Sequence, residues 1–181
     1  MKLLGKKGIM RRYADNQRLA EGFDGFIFGQ CKQPVGDLRY GSAEKPVADV
    51  GCGVAAVYNV MRLLGKDQPV ADVARDCELL RLAFFGGRFG TATKKLGRYF
   101  SYHGVSCREF RRCGEFKAAL DGCKAAIVCT WNDRITDGIH FYCIYPVVGG
   151  FSSLNFHSTD RAQPFSLSQL RDDRFIIGYV F

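Results

Sequence analysis

The sequence predicts an α+β fold, and three observations carry that reading. Apolar residues recur at helical spacing from Val54 to Leu64, and no charge falls between Gly51 and Met61. From Ala125 onward the runs become short, β-branched and strand-like. The pair Gly149-Gly150 stands between two of these runs, where a turn joining antiparallel strands belongs. Helices first and strands second mark an α+β chain with segregated layers.

Taken in order, residues 1–45 have weak periodicity and read as an extension that docks on the core through Phe23, Phe26, Ile27 and Phe28. The polar stretch from Lys32 to Lys45 reads as loop. Residues 46–181 form one compact domain. Val54, Val57, Tyr58, Met61 and Leu64 build a helix that is buried along most of its length, with Gly65 as its C-cap. Val70 to Leu82 is a second helix or two short ones, and the turn FFGGRFG follows it. Thr91 is placed to cap a helix running through Phe100 and ending near Gly104. Phe116 to Leu120 makes another short helix. Strands are expected at Ala125–Thr130, Ile139–Val147, Ser153–Phe156 and Ile176–Phe181, with a helical turn at Ser166–Leu170.

Length and composition agree with one folded unit. A chain of 181 residues with 47% hydrophobic and 24% charged residues has enough apolar surface to bury to offset its ordering entropy. Its apolar runs are far shorter than the ~20 residues that span a bilayer. The net charge of +8 attracts anionic partners. Nucleic-acid binding is nevertheless disfavoured, since no reading helix appears and Tyr99 and Phe100 beside the basic cluster read as core. The eight cysteines form no CxxC pair, which removes the common zinc and dithiol motifs. With no apolar stretch after the basic start MKLLGKKGIMRRYA, the expectation is a cytoplasmic protein with reduced thiols and no cofactor or metal.

Cys52 is the first residue with chemical content. It lies between Gly51 and Gly53 at the start of the buried helix, where unsatisfied N–H groups and the positive helix end favour thiolate. The flanking glycines leave room for a substrate backbone. His140 opens an apolar strand after Thr136-Asp137-Gly138 and is the candidate general base, with His157 as its competitor and His103 reading as a helix-end residue. Asn155, on the next strand, is the candidate orienter of the imidazole, and Asp160 is the alternative.

In this order, thiol at a helix start, histidine at a strand start and amide on the next strand, the chain resembles the papain-like cysteine peptidase superfamily. It looks most like the branch related to bacteriocin-processing peptidases, which remove leader peptides after double-glycine sites. GCGVAAVYNVMRLLG resembles that family's nucleophile helix, GTATKKLGRYFSYHG its middle helix, and ALDGCKAAIVC the helix entering its first sheet strand. GIHFYCIYPVVGG with SSLNFHSTD resembles its histidine and orienter strands, and SLSQLRDDRFIIGYVF its closing helix and strand. The likeness covers about residues 47–181. It implies a papain-like fold in which the nucleophile helix packs on a mainly antiparallel sheet. It also implies a Cys52–His140–Asn155 site that hydrolyses a peptide or amide bond, or passes the acyl group to an amine.

Two departures stand out. The close branch commonly has aspartate where Asn155 stands. Papain-like enzymes also place a glutamine a few residues before the nucleophile to complete the oxyanion hole, whereas AEKPVADVG precedes Cys52 here. Gln33, stiffened by Pro34, is the candidate replacement ahead of Gln30, each requiring the intervening loop to fold back. The missing donor also motivates the rival reading, a papain-like domain that binds a peptide without cleaving it.

Overall fold

The computed structural model describes residues 5–133, 138–157 and 159–181. The turn expected at Thr136-Asp137-Gly138 lies outside them except for Gly138, as does Lys2 of the basic start. The chain is a mixed helix and sheet structure whose C-terminal half is an antiparallel sheet.

The first element corrects the sequence reading. Residues Lys6–Leu19 form a 14-residue helix, α1, in a stretch with little apolar period. Its inward face is polar. Arg12 donates from Nε and Nη2 to the two oxygens of Glu78 at 3.0 and 2.6 Å, and both side chains are buried. Asn16 exchanges two hydrogen bonds with the backbone of Arg39. A helix docked by an ion pair and an amide leaves no trace in hydrophobic periodicity.

A small ribbon of β1 (Arg39–Tyr40) and β2 (Lys45–Pro46) leads into a one-turn helix, α2 (Val47–Val50). Gly51 then separates α2 from the buried helix α3 (Cys52–Leu63), in which every residue from Cys52 to Met61 is buried. That continuous burial follows from its lack of charge. Its interior polar groups are satisfied: the Asn59 amide pairs with both the N–H and the carbonyl of Ile27, and the Tyr58 hydroxyl donates to the Gly25 carbonyl. Helix α4 (Val70–Leu79) packs against both α1 and α3.

Thr91 does not cap the next helix. It is buried, with its hydroxyl 3.3 Å from that of Tyr40, and a 3₁₀ turn at Thr93–Lys95 precedes α5 (Gly97–Tyr102). Thr91 also fills the space in front of Gly53: a Cβ built there would lie 2.4 Å from the threonine hydroxyl. Gly53→Ala is therefore expected to cost about 1–3 kcal/mol by overpacking, read as a fall in thermal midpoint.

The sheet is formed by β3 (Arg108–Phe110), β4 (Ala126–Trp131), β5 (Ile139–Val147), β6 (Gly150–Leu154), β7 (Gln163–Phe165) and β8 (Phe175–Val180). Spatial order is β3-β8-β4-β5-β6-β7, with every neighbouring pair antiparallel. The expected Gly149-Gly150 turn links β5 to β6. Strand alternation divides the core in two. Ile127, Cys129, Phe141, Cys143 and Leu154 pack with α3 on one face. Val128, Tyr142 and Ile144 face the other way, toward Cys113 and Phe116 of α6 (Cys113–Ala118). Layers are thus segregated less strictly than the sequence suggests, since a short helix covers the second face.

Candidate active site

The thiol of Cys52 sits on the first residue of α3 and is 7% exposed. It lines a cavity of about 450 Å³ with Asp49, Val50, Phe84, Arg88, Phe89, Gly90, Thr91, Trp131, Gly138, Ile139 and Phe141. Three main-chain N–H groups bear on the sulfur, those of Phe141, Gly53 and Cys52 itself. Two of the three belong to the first turn of α3, where N–H groups have no intrahelical acceptor. They favour thiolate, but burial is the larger effect and leaves the thiol above its ordinary value. Burial thus outweighs the pull toward thiolate of the helix-start position.

The His140 ring lies elsewhere. It stands opposite Thr130 on β4, stacks toward Tyr142 at 6.1 Å, and lines a second hollow with Asn132, Asp133, Phe156, His157 and Arg174. Tyr142 points to the α6 face of the sheet, whereas Phe141, next in the chain after His140, points toward α3 and Cys52. The thiol meets β5 at residue 141 while the imidazole leaves it at residue 140 toward the opposite face. Among the described residues no hydrogen bond joins the two.

His140 and Asn155 do meet, though not as the sequence suggests. The ring donates from Nε2 to the main-chain carbonyl of Asn155, and the Asn155 side chain is used otherwise. Its Oδ1 accepts from Gln30 N–H at 2.8 Å, and its Nδ2 donates to the Gln30 side-chain oxygen and the Phe141 carbonyl. Asn155 lies beyond the end of β6 at φ +60°, a left-handed conformation that asparagine tolerates better than most residues. Leaving the strand there turns the side chain toward the 28–30 segment, so alternation does not apply. Because a carbonyl only accepts, the neutral ring carries its proton on Nε2 and presents Nδ1 as the acceptor.

Burial pulls His140 below its ordinary 6.5, with the Asn155 carbonyl partly opposing and His157 adding to the fall. The unfolded chain then binds the proton more readily, so stability drops as pH falls from about 6.5 toward the lower folded value. Thermal midpoints of the chain should therefore decline between about pH 7 and pH 5 more than those of His140→Gln.

Neither glutamine stands where the oxyanion donor was expected. Gln30 contacts Asn155, and its amide donates to the carbonyls of Val47 and Ala48, at 3.2 and 3.0 Å, and so braces the approach to α3. Gln33 lines a separate hollow with Phe23, Lys32 and Asp160. Among the described residues, neither lines the Cys52 cavity. The sequence names Gln30 as a candidate donor but carries no signal for its contact with Asn155, which spans 125 positions.

No protein-family model matches the chain, and a search of curated proteins returns no match. Among the described residues no group of three or more His, Cys, Asp and Glu is placed to hold a metal ion. Among the same residues no helix is long and apolar enough to cross a membrane. His103, read as a helix-end residue, follows α5 and pairs with Asp76 and Gln68 well away from this chemistry.

Proposed function

We propose that this chain is a papain-like cysteine peptidase domain that holds an extended peptide in the Cys52 cavity and attacks one of its carbonyls with that thiol. The observation that carries this reading is a thiol on the first residue of a buried helix, opening on a 450 Å³ cavity with three main-chain N–H groups converging beside it. Those donors suit a thiolate, and the ones at the helix start suit the oxyanion of a tetrahedral intermediate. The thiol proton passes to His140 Nδ1, sulfur bonds to the carbonyl carbon, and the protonated ring delivers the proton to the leaving amine. Water then releases the acyl group from sulfur. The reading requires the imidazole to exchange the Asn155 carbonyl for the thiol. The ring leaves β5 on the face away from Cys52, so this exchange requires the strand start to move with it. In this reading the thiol, raised by burial, gives up its proton only as it attacks the bound peptide.

A second reading is supported by the ring's position on the far face of β5: a domain that binds a peptide and leaves it intact. A mixture of internally quenched peptides separates the two. Cleavage with a thioester adduct on Cys52 by mass spectrometry, lost by at least about 10³-fold in Cys52→Ala, is the expected result. Saturable binding by the wild-type chain, with no adduct and no products, would establish the second reading instead.

A further inference from the structure

Among the described residues the loop before Thr91 carries a concentration of exposed aromatic surface. Phe84, Phe85 and Phe89 are 47%, 59% and 66% exposed, and Trp131 across the cavity is 40% exposed. The three phenyl rings contact one another at centroid distances of 4.8, 5.8 and 6.4 Å, two of the pairs edge to face. Phe85 is held at φ +46°, a left-handed backbone that is unusual for a bulky residue and is kept only where surroundings impose it. Here they do. The Gly86 carbonyl accepts from Ala43 N–H and from the Ser42 hydroxyl, and Phe84 N–H donates to the Gly90 carbonyl. Gly41 packs so closely on this loop that a Cβ there would lie 2.3 Å from the Gly86 oxygen. Thr91, at the loop's end, abuts Gly53 beside the nucleophile. The loop is thus a fixed platform that shows phenyl rings to solvent beside Cys52.

We infer that this platform selects the substrate: the peptide taken at Cys52 carries a large apolar side chain, aromatic above all, that lodges between Phe84 and Phe89 on one side and Trp131, Ile139 and Phe141 on the other. The inference rests on the peptide-binding reading of the Cys52 cavity. Contiguous exposed aromatic surface around a concavity marks a binding site, and edge-to-face geometry favours a further ring. The charges lining the cavity, Asp49 and Arg88, are opposite in sign, which leaves apolar contact as its main offer. A double-glycine segment, the substrate feature of the family the sequence resembles, has no side chain to fill such a space. This chain's preference therefore departs from that pattern.

The test uses four tripeptidyl chloromethyl ketones, Gly-Gly-Gly, Phe-Gly-Gly, Gly-Phe-Gly and Gly-Gly-Phe, with iodoacetamide at about pH 9 as the control for thiol access. At least one phenylalanine probe should alkylate Cys52 about tenfold or more faster than the all-glycine probe. Phe89→Ala should reduce that ratio to about threefold or less, each probe's rate being divided by the same variant's iodoacetamide rate. Equal rates for all four probes, with Cys52 open to iodoacetamide, would overturn the inference and leave the thiol reading standing. If iodoacetamide leaves Cys52 unmodified, the thiol reading falls, and binding decides the inference alone. Trp131 is the only tryptophan in the chain, so its fluorescence reports the corresponding peptide amides bound to Cys52→Ala. Tighter binding of a phenylalanine peptide than of Gly-Gly-Gly, weakened in Phe89→Ala, supports the platform; equal binding overturns it.

Discussion

Arg12→Ala lowers the unfolding free energy by about 3–5 kcal/mol, measured by urea denaturation. The reason is the partner it leaves behind. Glu78 is buried, and it would keep only the Gly41 N–H as a donor once the two charge-assisted bonds from Arg12 are gone. An unpaired buried carboxylate costs far more than the net worth of the pair. The paired replacement Arg12→Met with Glu78→Gln should recover most of the loss, because glutamine still offers an acceptor to Gly41 and no charge remains. A loss below about 1 kcal/mol for Arg12→Ala would show that α1 is only loosely tied to α4. Residues 6–19 would then be a detachable segment, and that matters for the site, since the same Glu78 anchors Gly41 under the aromatic loop.

The second large effect is on chemistry. His140→Ala should reduce peptide turnover by about 10²–10⁴-fold while the affinity for a peptide, read by Trp131 fluorescence, stays within about twofold. Affinity is spared because His140 lines a different hollow from the one holding Cys52. The loss arises because neither of the other two histidines takes its place as proton acceptor. His157 stands with His140 on the far face, and His103 is committed to Asp76 and Gln68. Turnover that survives in His140→Ala would assign the proton acceptor to another group and retire the Cys–His pair. Asn155→Ala separates orientation from packing in the same assay. Its side chain does not touch the ring, so turnover should fall less than in His140→Ala even though three side-chain hydrogen bonds to Gln30 and Phe141 are removed.

The elements that sequence reading located are those whose signal is apolar and local. Helix α3 follows from an uncharged stretch with helical spacing, and β5 runs over the expected Ile139–Val147 because its residues are strand formers followed by a glycine turn. Helix α1 escaped because Arg12 and Asn16 form its inward face. The short strands β3 and β7 escaped because three residues carry too little pattern and are defined by the neighbours they pair with.

Of the candidate site, residue types and order along the chain were legible, and so was the position of Cys52 at a helix start. The face each side chain takes was not. A strand start has no local rule that says whether its first polar residue turns toward the helix or away from it. That choice rests on whether residue 140 or 141 packs on α3, and the core admits Phe141. The placing of Gln30 and Gln33 outside the Cys52 cavity, the use of the Asn155 carbonyl in place of its amide, and the platform of Phe84, Phe85 and Phe89 beside the thiol share one cause. Each depends on contacts between segments far apart in the chain. Composition and periodicity determine which segments are buried and in what conformation, because those preferences are set within a few residues. Which groups meet across the site is decided only when the layers close, because packing of distant segments selects one register and one side-chain direction from several of similar local energy.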